Sequence, residues 1–149
     1  MRIPAYCPCF FLALVVCATK CLAQIPLPED INIVPPSVSL SKDVAAFSGK
    51  WFGVWSGKLQ SLLIVEEIDG ERAKVVYAWG DAPDWKINKG FQRYVATVAP
   101  GDKKEIQFRS AAALFTVRMN DDLSSITITR VRTTPWQAVN IETFKRVVR

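Results

Sequence analysis

The sequence contains no histidine, and its four cysteines, Cys7, Cys9, Cys17 and Cys21, all lie near its start. Without histidine there is no Ser-His-Asp triad and no imidazole to bind a metal or shuttle protons near neutral pH. Beyond Cys21 there is also no thiolate nucleophile, no sulfur-based zinc site and no disulfide. The seven glycines stand singly, so no glycine-rich loop is available to cradle a phosphate. The apolar stretch from Phe10 to Val16 is far short of the roughly 20 residues that span a bilayer. These absences predict no catalytic residues, no metal, no cofactor and no membrane span.

What the start does contain is a charge at Arg2, that short apolar stretch, and Cys21-Leu22-Ala23 with small residues three and one before the next bond. These are the parts of a secretory signal over residues 1–23, with Val16-Cys17-Ala18 as a second cutting site. A lipoprotein cut needs a small residue before the cysteine, whereas Val16 precedes Cys17 and Lys20 precedes Cys21. The expectation is a periplasmic or secreted protein that loses every cysteine and is stabilised by packing alone. Its net charge of +5 falls when Arg2 and Lys20 leave. The remaining basic excess is spread along the chain, as a solvated surface rather than a nucleic-acid footprint.

Residues 24–40 carry four prolines and no periodicity, which predicts an extended, mobile lead-in. Ser41 is placed to cap a helical turn through Phe47. From there to residue 149 short β-rich runs alternate with turns at about ten-residue spacing. Eight runs are expected: Lys50–Ser56, Ser61–Ile68, Ala73–Trp79, Phe91–Val98, Glu105–Arg109, Ala113–Met119, Ser125–Val131 and Ala138–Val148. Asp69-Gly70 predicts a hairpin turn with positive φ, and only Gly80–Gly90 is a long connection. Ile106 and Phe108, then Phe115, Val117 and Met119, then Ile126 and Ile128 alternate with polar residues, marking an inner face. The second and third runs are apolar on both faces and cannot be oriented by pattern. Eight sequential strands burying one face close most simply into an all-β, antiparallel, up-and-down barrel, which also removes exposed edges.

The first run opens with Gly49-Lys50-Trp51 and continues to Trp55. This resembles the calycin group, and more closely its small secreted bacterial lipocalin-like domains, through Gly49-Lys50-Trp51-Phe52-Gly53-Val54-Trp55, Leu63-Ile64-Val65-Glu66-Glu67 and Val75-Val76-Tyr77-Ala78-Trp79-Gly80. The likeness is good over residues 49–98 and loose afterwards. It implies that Trp51 closes one barrel end and that a cation from the last strand, Arg146 or Lys145, packs across it. Biotin binding of the avidin kind is not expected, because Gly53 stands where that family uses a ligand-bonding asparagine.

Candidate ligand-binding residues follow from side-chain type and alternation. Tyr77 and Trp79 share a face, Trp85 follows in the long loop, and Trp55 ends the first run, so these rings either form a platform at a mouth or fill the barrel. Glu66, Arg93 and Arg130 are the charged groups that could point inward. The plainer reading of Glu66 is a rim position or a partner such as Arg93. If Arg93 and Arg130 both face inward, they favour an acidic small molecule. Three functions compete on this reading. The preferred one is an exported binder of a small, partly apolar or acidic ligand. The second is a solid barrel that contacts a protein partner, and the third is a carboxylate-based hydrolase.

Overall fold

A computed structural model describes residues 25–102 and 104–148. The expected signal cut and the cysteines lie outside the described residues. The chain forms a short helix α1 (Lys42–Ala45) and eight strands: β1 (Gly49–Trp55), β2 (Leu59–Ile68), β3 (Arg72–Trp79), β4 (Gly90–Val98), β5 (Glu105–Arg109), β6 (Ala113–Met119), β7 (Ser125–Arg132) and β8 (Ala138–Arg146). Each strand pairs antiparallel with the next, and β8 returns to β1, closing an up-and-down barrel. The Val-, Ile-, Thr- and aromatic-rich composition of these runs suits a pleated, half-buried surface.

One end of the barrel is solid. Phe47, Trp51, Leu63, Ile106, Ile126, Ile128 and Phe144 are fully buried, each contributing about 1.5–3 kcal/mol by leaving water. Ser41 caps α1 by accepting the Val44 amide at 3.4 Å, and the turn delivers Phe47 beneath the sheet. Trp51 donates its indole N–H to the Phe47 carbonyl at 2.9 Å. The Arg146 guanidinium lies 4.1 Å from the centre of the Trp51 ring and donates to the carbonyls of Ala46, Ser48 and Leu123. Gly49 takes φ +119° and passes close to that guanidinium, so a Cβ there would sit 3.2 Å from Arg146 Nη1. At Gly53 a Cβ would fall 2.2 Å from the Phe144 ring, because the ring lies directly on the strand backbone.

Part of the outer face of β2 and β3 is covered, which explains why these two strands read as apolar on both sides. Ile64, Val76 and Ala78 are fully buried but do not belong to the barrel's inner core. The Pro-rich lead-in docks on this face instead of remaining mobile. Val34 donates its amide to the Glu66 carbonyl at 2.7 Å, Asn32 donates to the Glu66 carboxylate at 3.2 Å, and Asp30 pairs with Arg93 at 2.7 Å.

Two local features break the regular strand and turn pattern, the second against the expectation from the sequence. The β2–β3 register shifts between Val65 and Glu67, and this bulge lets both neighbouring glutamates point outward, Glu67 to Lys74 and Glu66 to Arg93. The Asp69-Gly70 turn forms without a positive φ at either residue. Its geometry comes from the Asp69 carboxylate, which accepts the amides of Glu71 and Arg72 at 2.7 and 2.6 Å.

Candidate functional site

Strand pairing is thin at two seams, β4–β5 and β1–β8, with two residue pairs each, all toward the solid end. The wall is less tightly laced toward the other end, where the β1–β2, β3–β4, β5–β6 and β7–β8 connections lie. There the interior holds a cavity of about 530 Å³, within the range that accepts one small ligand.

Its floor is aromatic. The Tyr77 ring centre is 5.1 Å from that of Phe115, Phe115 stacks on Phe108 at 4.7 Å, and Tyr94 stacks on Phe108 at 5.0 Å. The Tyr77 hydroxyl accepts the Trp55 indole N–H at 2.7 Å and donates to Ser61 at 3.3 Å. Burial pushes the Tyr77 phenol above its ordinary pKa, so it stays neutral and its proton stays committed to Ser61.

The long β3–β4 connection forms one wall. A 3-10 turn at Pro83–Trp85 carries Trp85, which lines the cavity and is 39% exposed. The connection is tied down by mutual backbone hydrogen bonds between Ala82 and Ile87, by the Lys58–Asp84 ion pair at 2.9 Å and by the Lys89 amide on Asp81 at 2.8 Å. Trp79 is fixed by its indole N–H on the Asn88 carbonyl at 2.9 Å.

The opposite wall is basic. Arg130 and Arg132 continue the inward face of Ile126 and Ile128 up β7 and line the cavity together with Gln92, Ser110 and Asn140. No carboxylate lines it. The Arg130 guanidinium lies 6.0 Å from the Phe115 ring centre, and that of Arg132 lies 5.1 Å from Trp136. Desolvation, and then the charge of Arg132, lower the pKa of Arg130 from its ordinary value.

Of the residues singled out in the sequence, Trp55, Tyr77, Trp79, Trp85 and Arg130 meet around the cavity. Glu66 and Arg93 do not. Arg93 does share a face with Phe91 and Val95, but that face is the outside of the barrel, where Phe91 and Val95 are exposed and Arg93 pairs with Asp30 and Glu66. Trp51 and Arg146 sit at the solid end. Sequence reasoning missed Arg132, Gln92, Tyr94 and Phe115 as cavity residues. Arg132 was readable, being two residues past Arg130 on the same strand, where alternation repeats the face.

No protein-family model matches the chain, and no curated protein matches it. Among the described residues no helix is long and apolar enough to cross a membrane, and no group of three or more acidic, histidine or cysteine side chains could hold a metal ion.

Proposed function

We propose that the chain is an exported, lipocalin-like binding protein that holds one small, partly apolar molecule in the cup at the lightly laced end of its barrel. The observation that carries this reading is the division of the interior. One half is filled by buried apolar side chains exposed by 5% or less, while the other surrounds a cavity of about 530 Å³ with aromatic rings and a few polar groups. A barrel serving only as a rigid scaffold gains stability by filling that space. The Gly49-Lys50-Trp51 opening, crossed by Arg146, supports the lipocalin-like part of the reading. A carboxylate-based hydrolase is disfavoured, because a pair of acids flanking a substrate has no counterpart among the residues lining the cavity.

Native mass spectrometry of the chain, purified without denaturant, tests this directly. The expected result is a mass above that of the polypeptide, returning to the bare value on denaturation. A bare mass that persists after incubation with a lysate extract contradicts the reading and points to a barrel that works through a protein partner.

A further inference from the structure

The polar groups of the cup are unevenly committed, and the imbalance bears on the class of ligand, given the binding function proposed above. Tyr77 already donates to Ser61 and accepts from Trp55. Ser110 accepts the amides of Ala112 and Ala113 and donates to the Ala113 carbonyl. Gln92 uses its amide oxygen to accept the Tyr94 hydroxyl at 2.8 Å, which leaves its NH₂ group as the uncommitted end. Arg130 and Arg132 form no ion pair among the described residues, and the Arg132 Nε–H is buried with no hydrogen-bond acceptor. What the cup offers is therefore mostly donors, two of them cationic, with no carboxylate to answer them.

We infer that the ligand is an organic acid, with a flat apolar body on the Tyr77–Phe115 floor and one oxyanion group held by Arg130 and Arg132. Alternate positions on a strand are about 7 Å apart, so two long guanidinium side chains can converge on one carboxylate, sulfonate or phosphate. The planar fork of arginine suits such a group. An acid entering here satisfies the Arg132 Nε–H, relieves the repulsion between the two cations and places its rings among Trp55, Tyr77, Trp79 and Trp85. A neutral molecule of the same shape gains only the last of these.

The test uses two dyes, 1-anilinonaphthalene-8-sulfonate and N-phenyl-1-naphthylamine, which share a ring system and differ in the sulfonate. Titrated into the full chain, the sulfonate is expected to bind at least about tenfold tighter, with the preference shrinking as salt rises. The Arg130→Gln/Arg132→Gln variant loses that preference and retains its affinity for the neutral dye. Equal binding of both dyes by the unaltered chain overturns the acid while leaving the cup intact. A preference that survives the double substitution also overturns it, placing the anion elsewhere. Failure of either dye to bind removes the cup and the acid together. If the double variant does not fold, the salt dependence of the two dyes on the unaltered chain decides the question.

Discussion

Arg130 and Arg132 lie two residues apart on β7, both line the same cavity, and neither meets a carboxylate among the described residues. Two half-buried cations in this position cost desolvation and repel each other, with the Phe115 and Trp136 rings but no carboxylate to offset either effect. Packing does not require charge there, so the pair is best explained by an anion that arrives from outside. Replacing Arg130 with methionine should leave the ligand-free protein equally stable or raise its stability by up to about 1 kcal/mol. Urea denaturation of the two proteins checks this; a loss of several kcal/mol would mark Arg130 as a structural residue.

The contact between Gly53 and Phe144 fixes how β8 meets β1. Gly53→Ala drives a methyl group into the ring and should cost about 1–3 kcal/mol through overpacking. Phe144→Leu, destabilising alone, should cost less in the Gly53→Ala background. A double-mutant cycle measures the coupling, and strict additivity would show that the two residues do not share the strain.

Arg146 holds the solid end by covering Trp51 and satisfying three carbonyls. Arg146→Met keeps the apolar stem but orphans those carbonyls, with an expected loss of about 2–4 kcal/mol. Dye binding at the far end should persist wherever the variant is folded. A variant as stable as the original would reduce the Arg146–Trp51 contact to surface decoration.

The lead-in is pinned by Asp30, Arg93 and Glu66, and its docking should depend on pH. Arg93, by hydrogen bonding and charge, lowers the pKa of Asp30 below its ordinary value. For a depressed carboxylate the stabilisation is fully present above the unfolded value, about 3.9, and is lost as pH falls through the lower folded value. Amide-exchange protection of Asn32 and Val34 should therefore hold at neutral pH and fall below about pH 4. Arg93→Gln should reduce that protection at neutral pH without altering ligand affinity. Weakened dye binding in this variant would return Arg93 to the cup.

The strands were largely legible because each carries its own signal. β5 and β6 coincide with the runs expected at Glu105–Arg109 and Ala113–Met119, and the other strands differ by one or two residues at an end. Side-chain direction was legible only where one face is polar. On β7, Ile126, Ile128 and Arg130 alternate with threonines, so Arg130 could be placed inward. On β4, Phe91, Val95 and Thr97 look like an inner face yet are turned outward, which carried Arg93 to the wrong side. The apolar outer residues Ile64, Val76 and Ala78 anticipate a covering segment, but its identity depends on long-range contacts from Asn32 and Val34 to Glu66. The plainer reading of Glu66, a partner of Arg93, holds, whereas the outward direction of the neighbouring Glu67 was not legible, because strict alternation fails at a bulge.

The five tryptophans offer the most direct measurement of the central claim, that a small acidic molecule sits in the cup. Each indole N–H gives its own signal in a proton–nitrogen NMR spectrum, and Trp51, buried at the solid end, serves as an internal control. On addition of 1-anilinonaphthalene-8-sulfonate the signals of Trp55, Trp79 and Trp85 should shift together and saturate while that of Trp51 stays in place. Shifts confined to the exposed Trp136, or a movement of Trp51 equal to the rest, would contradict it.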